Sequence, residues 1–282
     1  MEPTVKAWTC PNCVATVASP FCPDCGERPV AAPDLSARGL AAQLLKAAGG
    51  IDGRVVRSLR ALLASPGALT LAYVAGRRKP FIGPFQLFLL ANVLFFGVQS
   101  LTHTKIFSSP LDSHLHVQDW SDVAQRMVDA RLAMRRTTLA AYAPLFDQAV
   151  VLNAKSLVVL MTVPFAALLP IVFLGSRRPL AQHAVFSLHA WTFLLLLFCT
   201  SLAIAGIDRA LGGSGLASAA MDNALTTLNL VACGVYLWFA IGAVYGSAGS
   251  RRALATVVLT LTVGVVVVAY RFAIFAITLY TT

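Results

Sequence analysis

Charge is what this 282-residue chain has least of. Only 12% of its residues are Asp, Glu, Lys or Arg, against roughly 25% in an ordinary soluble domain, and its mean hydropathy is +0.74. That balance excludes a water-soluble globular domain of this length and makes lipid the solvent for most of the chain. Acidic residues are scarcer than basic ones, 12 against 22, and none falls in any long apolar run. An ion-coupled carrier commonly titrates or coordinates at a carboxylate inside a span, so that class is disfavoured. Internal repeats of the kind that mark many transporters are also missing. The first 30 residues contain no apolar core, so no cleavable signal peptide is expected.

What is present in quantity is long apolar sequence. Five runs, at 81–101, 156–174, 184–207, 223–247 and 254–280, reach the roughly 20 residues that a helix needs to cross a hydrocarbon core of about 30 Å. Open sheets leave unsatisfied edges in lipid, so the expected fold is an all-α integral membrane protein of about five transmembrane helices. Basic clusters fall on alternate boundaries: Arg77, Arg78 and Lys79 before the first run, Arg177 and Arg178 between the second and third, Arg251 and Arg252 between the fourth and fifth. By the positive-inside rule their shared face is cytoplasmic, which places the N-terminus inside and the C-terminus in the periplasm of a bacterial inner membrane.

Four of the six cysteines stand in the first 25 residues, as Cys10-Pro11-Asn12-Cys13 and Cys22-Pro23-Asp24-Cys25. Each C-x-x-C turn offers two thiolates to one ion, and two such turns complete the tetrahedral set that zinc prefers. Residues 14–21 between them suffice for a short hairpin. The competing readings are a pair of disulfides, an iron centre or no metal, and a reducing cytoplasm argues against disulfides. Four cysteine ligands leave no open coordination position, so the zinc is expected to be structural, in a small zinc ribbon at residues 1–28 that needs its ion to fold. Trp8 and Phe21 beside it offer a surface to a protein partner. The head has no basic and aromatic stripe, so nucleic acid is not an expected partner. Cys199 and Cys233 lie in apolar runs and read as small apolar residues.

Residues 29–53 read as a linker, 54–80 as a basic amphipathic juxtamembrane segment, and 81–282 as the membrane domain with an outer loop at 102–155. Within 54–64, Val55, Val56, Leu59, Leu62 and Leu63 share one arc of a helix while Arg54, Arg57 and Arg60 lie opposite. Such a helix is expected on an anionic membrane surface; the alternative is a basic helix packed on the protein itself. Pro66-Gly67 ends it. In the outer loop, Asp119 to Arg136 has Trp120, Val123, Met127 and Met134 on one side, with Asp119 placed to cap it.

With these features the chain resembles an uncharacterised bacterial family of multi-pass membrane proteins carrying an N-terminal zinc ribbon. Two stretches carry the resemblance: Leu59 to Gly67, followed by Tyr73, Gly76-Arg77-Arg78 and Pro84; and Gln182-His183-Ala184-Val185-Phe186-Ser187-Leu188-His189, with Phe193 beyond. In that family the position of Gln182 is usually Glu. The resemblance supports the topology and implies no activity.

The remaining polar candidates are few. His183 and His189 open the third run, six residues apart and therefore on faces about 120° apart, so one metal ion bound by both would require distortion of the helix. They read first as interfacial histidines reaching toward headgroups; the alternative is a polar cluster with Gln182 and a partner helix, a proton or ligand site in a small transporter or channel. Arg271 either meets the outer headgroups, if its helix ends near 270, or needs Asp208 or Asp222 as acceptor, if the helix continues; the first is the simpler. His103, His114 and His116 read as solvated. Gly213-Ser214-Gly215 reads as a flexible connector, with no base at its depth to activate a nucleophile, so the chain is not expected to be an enzyme. The function that follows is a membrane-anchored zinc-ribbon adaptor or regulator.

Overall fold

The computed structural model describes residues 7–10, 15–24, 53–77, 80–102, 104, 106–176 and 178–282. The chain divides into two compact units, Met1–Gly53 and Arg54–Thr282. In the first, β1 (Trp8–Thr9) pairs antiparallel with β2 (Thr16–Val17), Trp8 opposite Val17 and Thr9 opposite Thr16. The Cys10 amide donates to the Ala15 carbonyl at 2.9 Å and closes the hairpin.

The second unit is helical among its described residues. Its order is α1 (Gly53–Ala64), α2 (Ala68–Val74), α3 (Pro84–Leu101), α4 (Leu111–His116), α5 (Ser121–Arg135), α6 (Leu139–Leu157), α7 (Thr162–Val172), α8 (Leu180–Ala210), α9 (Ala219–Tyr245) and α10 (Gly249–Thr281). Five segments are long and apolar enough to cross a membrane: α3, Leu139–Val172, α8, α9 and α10. Their outward faces carry large apolar side chains such as Val93, Val235, Leu261 and Val265, a surface compatible with a lipid bilayer. At 1.5 Å per residue, the 31-residue α8 measures about 46 Å, longer than the roughly 30 Å hydrocarbon core of a bilayer.

The span beginnings follow local chemistry. Pro84 opens α3 at the first helical position, where its missing N–H costs nothing. Gly246, at φ +64°, ends α9 in the left-handed conformation that favours glycine. The second span starts at Leu139, inside the stretch expected as an outer loop, and is broken by a 3-10 turn at Val158–Met161. Pro164 explains the break: it has no N–H for the carbonyl four residues back, and its ring crowds that carbonyl.

α3 packs along α8, α7 beside α8, α6 beside α10, and α9 antiparallel to α10. Tyr270 donates to the Ala154 carbonyl at 2.8 Å, and Asn153 to Thr278 at 3.0 Å, joining α6 to α10. Phe107, from the segment after α3, inserts between Phe95 and Tyr270 with ring centroids 5.3 and 5.4 Å away.

α1 and α2 cap one end of this bundle. Arg54 donates to the Phe81 carbonyl at 2.7 Å, Arg57 to the Pro80 carbonyl at 3.2 Å, and the Ile82 amide to Ser58 at 3.0 Å. Ser58 and Leu62 face inward, whereas Val56 and Leu63 are exposed. The helix therefore packs on the protein along one face and keeps an apolar strip outside. Gly67 lets the turn into α2 approach α9: an added Cβ would stand 3.0 Å from Val244 and 3.1 Å from the Ala240 carbonyl, at φ +89°.

Gly67→Ala is expected to lower the thermal midpoint through both the roughly 1–2 kcal/mol of left-handed backbone strain and the clash with α9. Gly76→Ala, at φ +79° with open space around it, should show the strain alone. Equal shifts in the two variants, measured on detergent-purified protein, would contradict the close approach.

Candidate functional site

In the first unit, Cys10 and Cys22 are 1% and 2% exposed and sit with Val17 in one small cluster, flanked by Trp8 and Ala15. One cysteine from each C-x-x-C pair thus comes to the same place. Trp8 donates its indole N–H to the Ser19 carbonyl at 2.9 Å, and Ser19 donates to the Phe21 carbonyl, which ties the segment leading to Cys22 back onto the hairpin. Cys13 and Cys25 lie outside the described residues. Two thiols therefore meet at the base of the hairpin; among the described residues no group of three or more His, Cys, Asp or Glu side chains is gathered at one point.

In the helical unit, the polar residues singled out in the sequence lie at the two ends of the bundle. Near the α1 end, Gln182, His183 and His189 are 1%, 2% and 3% exposed. The expectation that the two histidines reach toward headgroups is overturned, because each is closed by a partner on another helix. His183 Nδ1 shares a hydrogen bond with the Tyr245 hydroxyl at 2.8 Å, and Tyr245 stacks on Phe173 at 3.8 Å between centroids. His189 Nδ1 shares one with Thr70 of α2 at 2.9 Å. Sequence periodicity put these rings on different faces, and the structure sends them to different neighbours, α9 and α2. The Gln182 side-chain nitrogen is buried without a hydrogen-bond partner among the described residues.

His189 also lines a cavity of about 190 Å³ with Arg54, Tyr73, Arg77, Phe81 and Gly83. Arg54 and Arg57, expected on a membrane surface, donate to the Phe81 and Pro80 carbonyls and help hold that turn; Arg60 is exposed. Thr70 was not legible as a site residue in the sequence, since a lone threonine in a short apolar helix carries no pattern.

At the opposite, α5 end, α10 continues past Arg271 to Thr281, so the simpler placement of Arg271 among outer headgroups gives way to a half-buried one. Its guanidinium lies 5.9 Å from the Trp120 ring, with Asp222 and Asp119 as the neighbouring negative charges. Asp222 was anticipated as an acceptor; Asp119 was assigned a capping role instead, and Trp120 is the N-cap residue of α5. The buried face of α5 is Ala124 and Val128, while Val123 and Met134 are exposed. His114 is buried rather than solvated: it accepts the Trp120 indole N–H at 3.3 Å and lies 4.8 Å from the Phe275 ring. His116 is exposed beside Asp112 at 3.0 Å, and His103 lies outside the described residues. Gly213 and Gly215 are held by Asp208, which accepts from the Gly215 amide at 2.9 Å, so the expected flexible connector is an ordered turn.

Burial, and next the nearby Arg271 cation, hold the His114 imidazole down at about 4 from its ordinary 6.5, against a smaller upward pull from a Ser109 backbone hydrogen bond. The unfolded chain therefore takes up this proton before the folded one. Stability from this group is complete above about pH 6.5 and declines as pH falls toward 4. Between pH 7 and 4.5 the thermal midpoint should fall further for the wild type than for His114→Gln; parallel curves would refute the assignment. Separately, Thr70→Val should cost about 1–3 kcal/mol by stranding the buried His189 nitrogen, and Thr70→Ser should restore most of it. Equal stability of the valine and serine variants would count against that hydrogen bond.

Searches of curated proteins and of solved structures return no match. Residues 52–96, which comprise α1, α2, the turn they clamp and the first part of α3, are similar to a family described as a protein of unknown function (DUF3667).

Proposed function

We propose that this chain is a membrane-anchored adaptor of a bacterial inner membrane, with a four-cysteine zinc ribbon as its partner-binding part on the cytoplasmic side. The observation that carries the reading is the shared burial of Cys10 and Cys22, one from each pair, against Trp8 and Val17. A thiolate-bound zinc would supply rigidity to a unit too small to hold itself together by apolar burial. Cys10, Cys13, Cys22 and Cys25 would hold it, and Phe21, exposed beside Cys22, would offer an apolar contact to a protein partner.

The cytoplasmic placement draws on the basic residues at the α1 end. Arg77, Arg178, Arg251 and Arg252 belong to segments that flank the spans there, and Arg251 donates to the Leu174 carbonyl at 3.1 Å, so the turns on either side of the α8–α9 pair touch. Basic residues at span ends face the cytoplasm. The same placement sets the exposed Val56 and Leu63 strip of α1 at the inner membrane surface, where apolar side chains enter the headgroup boundary and Arg60 meets anionic lipid. The transporter alternative gains no support from the buried histidines, each of which is closed by its own partner.

Full-length protein purified without chelator is expected to carry one zinc per chain by elemental analysis, and Cys10→Ser/Cys22→Ser to lose it while keeping its helical content. In spheroplasts, external protease should leave the head intact and should cut it once the membrane is opened. Zinc-free wild-type protein, or a head cleaved from outside, would sink the reading.

A further inference from the structure

At the α1 end, the turn after α7 and the turn before α10 enclose a cleft of about 570 Å³. Arg178 and Arg251 supply its charge, Ser247 supplies a hydroxyl, Ser176 already donates its O–H to the Phe173 carbonyl at 2.8 Å, and Tyr245 forms a wall. Residues 148–207 and 223–282, which build the helices around it, contain no Asp or Glu. The positive charge of the cleft is therefore not neutralised by the segments that form it.

Two features make the cleft a built site. Tyr245 is pinned from both sides, by its stack on Phe173 at the end of α7 and by its hydrogen bond to His183 on α8. Arg251 is held by one N–H on the Leu174 carbonyl at 3.1 Å, and a guanidinium has further N–H donors for a ligand. The cleft also abuts the start of α10, a helix of 33 residues whose N-cap is Ala248, a residue with no capping group. The first amides of such a helix have no intrahelical acceptor and carry the positive end of its dipole. Two arginines, the Ser247 hydroxyl and the first amides of α10 match the oxygens of a phosphate better than a cation or a neutral ligand.

Its depth narrows the ligand further. α8, α9 and α10, with 31, 27 and 33 residues, are each longer than the hydrocarbon core is thick, so in a bilayer the turns at their ends, and the cleft with them, would fall at headgroup depth. We propose that the cleft is a binding site for a phosphate-bearing anion, with the headgroup of an anionic phospholipid and free phosphate as the two sources of that chemistry. The proposal rests on the helices crossing a bilayer and is independent of the zinc head, whose failure would leave it standing.

The test uses full-length protein in detergent, with phosphatidylglycerol, phosphatidylcholine and inorganic phosphate as probes. Phosphatidylglycerol is expected to raise the thermal midpoint saturably by a few degrees, phosphatidylcholine much less. Arg178→Gln/Arg251→Gln should weaken that binding by roughly tenfold or more. Arg136→Gln/Arg209→Gln, which removes the same charge at the other end of the helices, should leave it unchanged. A matching saturable response to inorganic phosphate, lost in the same variant, assigns the free anion as the ligand. Arg178→Lys/Arg251→Lys keeps the charge without the planar fork and is expected to bind severalfold more weakly; it serves if the glutamine pair does not fold. The proposal is overturned if neither probe shifts the wild type, if the substitutions at the cleft leave the response intact, or if both charge-removing pairs weaken it equally.

Discussion

Hydrocarbon offers a peptide amide no water, so every N–H and C=O in the spans must find its partner within the chain. That constraint makes the spans helical, and it determines how the few polar side chains among them are used. Tyr142 reaches the Leu279 carbonyl at 3.0 Å, Tyr270 the Ala154 carbonyl at 2.8 Å, and Ser187 the Thr162 carbonyl at 2.7 Å just past the proline-associated break. Each joins two helices whose apolar surfaces alone give little reason to prefer one another over lipid. Packing of Phe95, Phe107 and Tyr270 then fills the space between the helices that these bonds align.

The same economy appears at the α1 end in a different form. Arg54, Arg57 and Ser58 hydrogen-bond the turn at 80–82, so the first amphipathic helix is tied to the segment that leads into α3. Thr70 then ties α2 to His189, and Gly67 lets the connecting turn lie against α9. This cap coincides with the residues similar to the family of unknown function. Its hydrogen bonds are mostly between nearby segments, while His189 and Gly67 carry it across to α8 and α9. A basic amphipathic segment here has two jobs at once: an inward face of Ser58 and Leu62, and an outward strip of Val56 and Leu63.

The two ends of the bundle treat charge differently. At the α5 end, Arg271 lies inside a helix beside Trp120, with Asp222 and Asp119 near, and its presence helps keep His114 neutral. At the α1 end, the cleft arginines belong to segments without carboxylates. One end sets carboxylates near its half-buried cation; at the other, the exposed Arg178 and Arg251 stand in segments that carry none.

Composition and run length alone determined that this is a helical chain with five helices long and apolar enough to cross a membrane, because a 20-residue apolar run has one stable solution in lipid. Spacing alone singled out the cysteine pairs, since C-x-x-C geometry is local. It also separated His183 from His189, since their angular offset follows from helix periodicity. The start of the second span at Leu139 was obscured because Asp147 and Lys155 dilute its hydropathy. The burial of both histidines, the Thr70 and Tyr245 partners, and the inward turn of His114 were decided only by tertiary structure. A side chain's hydrogen-bond partner on a helix more than 60 residues away leaves no periodic trace in its own segment; only the packing of one helix against another brings the two atoms to within 3 Å.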